Sequence, residues 1–450
     1  MNIIIKVESR GVIIIKPKIF SLRRLLLSLL ILFYAGVLSA QEYQFDMAEI
    51  EKKPYSIGGF LEFRPVLSGL DREATFYRLK YFGQDPGSTL EQYNFGLRLE
   101  GGYEKGTTGF HFSADAILSY EDPGWSDDIG LLEGYLSLKP ATGFSVNAGK
   151  RMVPWGKGYA FNPVAFVSRP KDVDDPTEAL EGYFLIDADI IKSYQGPLKT
   201  LSFTPVILPV TDDINDDFGE ADHINFAAKL YLLLWDTDLD FMVFTGDSRT
   251  TRYGFDFSRN IGTNFEIHGE AAWVTDFEKE NIDSQGKLTT ETADVLQALA
   301  GIRYLTANDI TYIIEYYHNG GGIDENDAEN FYKFIESAYD QYLVTSDSSQ
   351  LARASMLSRG TLAATKPMRD YLYFRASMKE PFDLLYFTPA ITTIVNLNDQ
   401  SLSVTPEFVY TAITNLELRL RSAFLIGARR TEFGEKQNDY KLELRIRYYF

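Results

Sequence analysis

The sequence predicts an all-β fold: a single closed antiparallel β-barrel of about 18 strands, with 16 as the alternative count. Three observations carry this prediction. The last eleven residues alternate between apolar and charged side chains, similar segments recur along the chain, and the connections between them alternate between short and long. Because side chains alternate across a strand with a period of two, each such segment has one apolar and one polar face.

The C-terminal segment, residues 440–450, shows this alternation most clearly. One parity holds Tyr440, Leu442, Leu444, Ile446, Tyr448 and Phe450, and the other holds Lys441, Glu443, Arg445, Arg447 and Tyr449. At about ten residues, the segment is long enough to cross a bilayer as a tilted strand. Unpaired backbone groups cannot face hydrocarbon, so such strands must close into a barrel. We expect the apolar parity to face lipid and the charged parity to face a watery lumen.

Seventeen further segments with strand character precede it. They lie near residues 55–69, 92–103, 110–120, 132–139, 144–151, 180–193, 198–209, 222–236, 238–246, 252–260, 263–276, 294–305, 309–318, 369–379, 384–397, 400–413 and 415–428. Connections after even-numbered segments are short, whereas most after odd-numbered segments are longer, at 70–91, 154–179, 210–221, 277–293 and 319–368. The short connection near 398–400 is an exception. Short periplasmic turns and long outer loops are typical of a membrane barrel with both termini in the periplasm.

The first forty residues contain basic residues, then an apolar run, and then small residues. The basic residues are Lys6, Arg10, Lys16, Lys18, Arg23 and Arg24, and the apolar run covers residues 25–37. This order is typical of a secretory signal peptide, and the run is too short for an ordinary membrane-spanning helix. We therefore predict a signal peptide at 1–40, a periplasmic N-terminal segment at 41–54 and an outer-membrane barrel at 55–450. An uncleaved anchor is the alternative at the N-terminus.

The composition excludes several kinds of site and partner. The chain has no cysteine, which excludes disulfides, covalent c-type haem and thiolate metal sites. No motif implies a metal or another cofactor, so we predict none. The net charge of −19 becomes −24 when the six basic residues and Glu8 leave with the signal peptide. So acidic a chain makes nucleic acid an implausible partner.

Two stretches resemble known families. The ending on Phe450 resembles the C-terminal targeting strand of bacterial outer-membrane β-barrels. Residues 149–156, which read Gly-Lys-Arg-Met-Val-Pro-Trp-Gly, are similar to a motif of alginate-export and related substrate-specific porin families. These resemblances imply a porin in the outer membrane of a Gram-negative bacterium. Its implied partners are outer-membrane lipid, the barrel-assembly machinery acting on the C-terminal strand, and small solutes, with homo-oligomerisation left open.

Residues 154–179 form the third outer loop, which in general porins folds into the lumen and narrows the pore. Its prolines and glycines disfavour a strand and favour a shaped, stiff loop. The predicted constriction residues are Trp155, Lys157, Arg169, Lys171, Asp172, Asp174 and Asp175. Their opposite charges would set a field across an eyelet. The alternative is an ordinary solvated outer loop with internal ion pairs.

Basic residues on the polar parity are the predicted pore lining. They are Arg64, Arg98, Arg151, Arg419, Arg421, Arg445 and Arg447, and all but Arg151 fall on strands next to the barrel closure. A ring of arginines favours anions. Acidic residues elsewhere on the lumenal parity (Glu181, Glu266, Glu270, Glu315 and Glu407) would oppose them and create a transverse field. The alternative is a set of Arg–Glu pairs that stiffens the wall.

The longest connection, residues 319–368, contains apolar residues at helical spacing from Phe331 to Leu343. Asp327 or Asn330 is the candidate N-cap. Such a helix either covers the mouth as a lid or packs on the surface.

Function is predicted on the same grounds. The sequence favours a non-enzymatic channel for passive or selective diffusion of small hydrophilic solutes, anions among them. A structural sheath that houses or anchors a partner protein is the alternative. An outer-membrane hydrolase is the second alternative, because His111 shares a face with Ser113 and Asp115, and His268 lies between two glutamates. We favour structural roles for both histidines.

Overall fold

The computed structural model describes residues 53–122, 124–358 and 367–450. Its strands form one 18-stranded antiparallel sheet, which closes because β18 pairs with β1. The predicted barrel is therefore confirmed, with 18 strands and not 16. The predicted signal peptide and residues 41–52 of the predicted periplasmic segment lie outside the described residues.

The strands follow the predicted segments in order. They are β1 (Tyr55–Leu70), β2 (Thr89–Lys105), β3 (Thr108–Glu121), β4 (Gly124–Ala141), β5 (Phe144–Arg151), β6 (Tyr183–Ser193), β7 (Leu198–Val210), β8 (His223–Leu234), β9 (Thr237–Thr245), β10 (Arg252–Asn260), β11 (Phe265–Ile282), β12 (Leu288–Leu305), β13 (Ile310–Asn319), β14 (Asp370–Met378), β15 (Phe387–Asn396), β16 (Leu402–Tyr410), β17 (Leu416–Ile426) and β18 (Asn438–Tyr449). Within the described residues, three α-helices lie in the connections: α1 (Thr75–Tyr81), α2 (Glu325–Thr345) and α3 (Ser349–Leu357). None of these helices is both long and apolar enough to span a membrane.

Alternation places the two faces as predicted. On β18, Leu442 and Leu444 are 39% and 38% exposed. The residues that follow each of them, Glu443 and Arg445, are only 5% and 2% exposed. The apolar parity therefore points outward and the charged parity points into the barrel, which is the arrangement of a membrane-spanning barrel.

Connections after odd-numbered strands meet at one end of the barrel, here called the loop end, and the others meet at the turn end. The predicted long loop at 277–293 is wrong over most of its length, because β11 and β12 continue as a paired hairpin to Ile282 and Leu288. The short connection between β15 and β16 is real, so that hairpin was correctly placed. The polar ends of β11 and β12 still satisfy their backbone groups by pairing with each other, which extends the hairpin beyond its apolar stretch.

The predicted helix in 319–368 is confirmed as part of α2. Its N-cap is Asp324, whose side chain accepts from the Asp327 amide at 3.0 Å, so both predicted caps were wrong. The apolar face of α2, including Phe331 and Ile335, packs in one cluster with the inward-facing wall residue Tyr371. The helix therefore lies in the mouth of the barrel, as the lid interpretation predicted.

Candidate functional site

The connection between β5 and β6, residues 152–182, passes through the inside of the barrel; we call it the crossing loop. Its first half reaches β9, where the Lys157 amine lies 2.8 Å from Asp240. Its second half reaches β17 and β18, where Asp175 lies 3.0 Å from Arg421 and 3.3 Å from Arg445. Since β9 and β18 are half the barrel apart in strand order, the loop links opposite walls.

Two buried wall carboxylates hold the first half of the loop by its backbone. Glu270 on β11 accepts from the amides of Lys157 and Gly158, both at 2.5 Å. Glu315 on β13 accepts from the amide of Ala160 at 2.9 Å, and the amides of Tyr159 and Phe161 also donate to it. Hydrogen bonds to an ionised carboxylate are stronger than those between neutral groups. We call Glu270 and Glu315 the acidic anchor.

Three of the five acidic residues predicted to create a transverse field lie elsewhere than expected. Glu270 and Glu315 lie under the loop, only 3% and 0% exposed, and do not face an open lumen. Glu407 pairs with Arg375 and Arg419, on the same wall as the arginines that it was expected to oppose. A polar position on a strand looks the same in sequence whether water or another segment covers it.

Glycines allow the loop to wrap around the anchor. Gly156 has a φ of +98°, and a Cβ there would lie 2.0 Å from the Asn162 side chain and 2.7 Å from Glu270. A Cβ on Gly158 would lie 2.1 Å from the Phe161 carbonyl oxygen. Only glycine tolerates this backbone and this closeness. The Gly-Lys-Gly spacing was the one sequence signal for a tight backbone approach at this point.

Several predicted constriction residues serve to fasten the loop. Trp155, which was predicted in the constriction, is buried in an apolar cluster with Phe166 and Phe218. The Lys171 amine donates to the Gly158 carbonyl at 2.6 Å, and burial lowers its pKa despite nearby Glu270 and Glu315. Arg169 pairs with Glu181 and Asp217 and stacks over Tyr183. It therefore fastens the part of the crossing loop that leads back to β6.

Asp175 is the centre of the second contact. Its carboxylate lies 3.0 Å from Arg419, 3.0 Å from Arg421 and 3.3 Å from Arg445. Burial raises the pKa of Asp175, but the three guanidinium groups outweigh burial and hold its pKa below the ordinary value. Asp172 and Asp174, by contrast, are exposed, and Asp172 accepts from the Asp174 amide at 2.9 Å.

The seven predicted pore-lining arginines each lie within 4 Å of a carboxylate. Beyond the Asp175 contacts, the pairs are Arg64–Glu62 at 3.6 Å, Arg98–Asp115 at 3.1 Å, Arg151–Asp187 at 2.5 Å, Arg419–Glu407 at 3.1 Å, Arg445–Glu178 at 3.0 Å and Arg447–Glu62 at 2.7 Å. Arg98 and Arg447 also flank the ring of Phe60. Arg64, Arg98, Arg419, Arg421, Arg445 and Arg447 thus share one sector, which we call the arginine wall. This pairing is the arrangement that the stiffening interpretation predicted.

Two cavities flank the second contact. One of about 580 Å³ lies at the loop end, between α1, α3 and strands β16 to β18, and is lined in part by Asp174 and Arg421. The other, of about 520 Å³, lies at the turn end against β1 to β4 and is lined in part by Ala179 and Leu180. Residues 175–178, which contact the arginine wall, therefore lie between the cavities along the chain.

Apolar packing fills the opposite side of the lumen. Phe161 of the crossing loop stacks on Tyr317 with ring centroids 4.6 Å apart, and it also contacts Tyr371. These residues belong to the cluster that contains the buried face of α2. This packing therefore lies across the lumen from the arginine wall.

The two candidate histidines have structural surroundings. His111 lies 3.6 Å from Glu104 and stacks on Tyr135, while Asp115 pairs with Arg98. His268 is buried, with its Nε2 2.9 Å from Glu315 of the acidic anchor. Within the described ranges, neither ring hydrogen-bonds to a serine hydroxyl, which a hydrolytic triad needs.

Sequence reasoning also missed one pair of wall residues. Asp240 on β9 and Asp256 on β10 are directly paired across the strands, both buried, and receive the Lys157 amine at 2.8 and 3.9 Å. Their sequence signal is a carboxylate on the inner parity of each of two adjacent strands, a pattern that water-facing positions of a barrel share.

Comparisons with known proteins give matches only among solved structures. No family model and no curated protein matches the chain. Similar structures from Pseudomonas aeruginosa include OpdQ (12% identity, TM-score 0.49, covering 88% of this chain and 98% of that one) and OccK5, also called OpdH (14%, 0.47, 88% and 98%). OprD is another (10%, 0.47, 91% and 99%). In each of the three matches the identity is below 15% and the TM-score is below 0.5.

Proposed function

We propose that this chain is an outer-membrane channel for passive or selective diffusion of small hydrophilic solutes in a Gram-negative bacterium. One observation carries the proposal: the crossing loop links opposite walls of the barrel and contacts the arginine wall between two cavities at opposite ends. A narrow polar passage in a lumen whose opposite side is closed by apolar packing would act as a filter for hydrated solutes.

In this proposal, the loop end faces the outside and the turn end faces the periplasm. A solute enters the cavity between α1 and α3, passes residues 175–178, and leaves through the cavity against β1 to β4. The sheath alternative is disfavoured, because the crossing loop and α2 occupy the lumen that a partner would need. The hydrolase alternative is disfavoured by the surroundings of His111 and His268.

Anions are the preferred solutes in this proposal. Three guanidinium groups of the arginine wall converge on the single carboxylate of Asp175. Arginine pairs with a solute carboxylate or phosphate in the same geometry, so a passing anion competes with Asp175 for these groups. A passing cation is repelled by the same guanidinium groups.

Replacing Asp175 with asparagine tests this competition. The change removes the loop carboxylate and leaves three guanidinium groups without their shared partner, so we expect the reversal potential in a salt gradient to shift toward anion selectivity. The measurement is planar-bilayer recording of the purified protein. Asp172→Asn is the matched control, since it removes the same charge from an exposed position of the same loop. Equal shifts in the two variants would show that Asp175 has no special place on the path.

The opposite shift is expected for Arg421→Glu combined with Arg445→Glu. Each change replaces a positive by a negative charge on the arginine wall, so the reversal potential should move toward cations. Arg445 is buried among carboxylates, and its loss costs about 3–5 kcal/mol of stability. Arg421→Glu alone, which alters a less buried side chain, therefore serves as the milder variant.

Arg429→Glu is the control for this pair. It makes the same charge change at the loop end, where Arg429 pairs with Asp71 and Glu73 outside the arginine wall. An unchanged reversal potential in both the single and the double variant would remove the arginine wall from the selectivity filter.

A further inference from the structure

The connection between β14 and β15, residues 379–386, exposes large apolar side chains at the turn end; we call it the apolar turn. Phe382 is 94% exposed, Leu385 63%, Tyr386 55% and Leu384 54%. Most short turns have little reason to carry four large apolar residues, since water surrounds a turn at the end of a barrel. The apolar turn therefore needs a surface to cover it.

The neighbouring turn between β16 and β17 extends this patch. Ile413 is 55% exposed. The two turns are joined by a hydrogen bond, because the Thr411 amide donates to the Tyr386 carbonyl at 3.1 Å. At the same end, the turn between β12 and β13 reads Thr-Ala-Asn-Asp, residues 306–309, and presents no comparable patch.

The backbone of the apolar turn is held in an unusual conformation. Glu380, Phe382, Asp383 and Tyr386 have φ values of 50°, 57°, 59° and 64°. This left-handed region is disfavoured for residues with a Cβ, and residues held there often mark functional positions. The Glu380 carboxylate fixes the turn by accepting from the Tyr386 amide at 2.9 Å.

The patch continues the outward apolar face of the barrel. Phe387 at the start of β15 stacks on Phe408 of β16, with ring centroids 6.1 Å apart and an interplanar angle of 4°. Phe408 and Tyr410 are exposed on the outward parity of β16. Phe387 directly follows the exposed Leu384, Leu385 and Tyr386 in the chain, so the apolar turn lies next to this outward face.

We propose that the apolar turn inserts into the headgroup and upper acyl region of the periplasmic leaflet and anchors this side of the barrel in phospholipid. Aromatic and aliphatic side chains that flank a lipid-facing surface favour this interface. The exposed Lys379 beside the patch suits lipid phosphates, since a lysine stem can lie on apolar surface while its amine reaches the headgroups. Five side chains on two turns make too small an area for a stable protein interface. The inference rests on the outer-membrane location proposed above.

Single-cysteine labelling tests the insertion, because the chain contains no cysteine. The full chain carrying Phe382→Cys is labelled with an environment-sensitive fluorophore and reconstituted into phospholipid vesicles. Quenching is then measured with nitroxide-bearing lipid and with aqueous iodide. We expect severalfold stronger quenching by the lipid nitroxide, and severalfold weaker quenching by iodide, than for a label at Asn308→Cys in the polar turn.

A label at Ile391→Cys, on the outward face of β15, separates the two levels of the proposal. If lipid nitroxide fails to quench this label, the membrane location itself is wrong, and the proposed function falls with it. If it quenches position 391 while position 382 behaves like position 308, only the insertion is wrong. Energy transfer between labels at position 382 that rises with protein density would instead identify a second copy as the occupant and overturn the inference.

Discussion

Removing residues 157–175 from the crossing loop is expected to raise the single-channel conductance severalfold. The loop contacts walls half the barrel apart, and its residues 175–178, which touch the arginine wall, separate the stretches that line the two cavities. A short Gly–Ser linker in its place would join β5 to β6 and leave the wall strands complete. The deletion also removes Phe161, whose ring stacks on Tyr317 of the wall, so the side of the lumen opposite the arginine wall becomes wider. The measurement is planar-bilayer conductance in symmetrical salt.

Shortening the hairpin of β11 and β12 by residues 283–287 is the control for this deletion. That segment also lies at the loop end and contacts α3, where Arg353 donates to the Gly286 carbonyl at 2.8 Å, but it does not cross the lumen. Conductance equal to that of the unaltered chain after removal of 157–175 would place the crossing loop outside the conduction path. A rise after both deletions would point to general loosening of the barrel mouth.

Replacing both members of the acidic anchor, Glu270→Gln with Glu315→Gln, is expected to release the crossing loop while keeping side-chain size. Hydrogen bonds to a charged group contribute about 1.5–3 kcal/mol each, and the anchor accepts several backbone amides. Losing about 3 kcal/mol would raise the population of detached loop roughly a hundredfold. We expect the current to flicker between the original level and a higher one.

Trypsin reports the same release independently. Lys157, Arg169 and Lys171 are tied down by Asp240, Asp217 and backbone carbonyls, so the intact loop should resist cleavage. The double variant should be cut there much faster. Glu266→Gln is the control, since Glu266 lies 3.7 Å from His268 and holds no loop amide. A steady current and an unchanged rate of cleavage in the double variant would show that the acidic anchor does not hold the loop.

The sequence alone determined the barrel and the direction of its faces. Alternation in segments such as residues 440–450 fixes which side chains point outward, because a strand has a period of two and only a closed sheet satisfies its backbone in lipid. The same pattern correctly separated Leu444 from Arg445, and helical spacing located α2. These features depend on neighbours in the chain or in the adjacent strand.

Only the tertiary structure decided what covers the inner face. Glu270 and Glu315 were predicted to face the pore, but loop residues more than a hundred positions away bury them. Trp155 was predicted in the constriction, yet it packs among apolar residues of distant strands. Alternation reports that a residue points inward and carries no information about which segment meets it there. The course of the crossing loop, and with it the site, follows from contacts between opposite walls that no local pattern encodes.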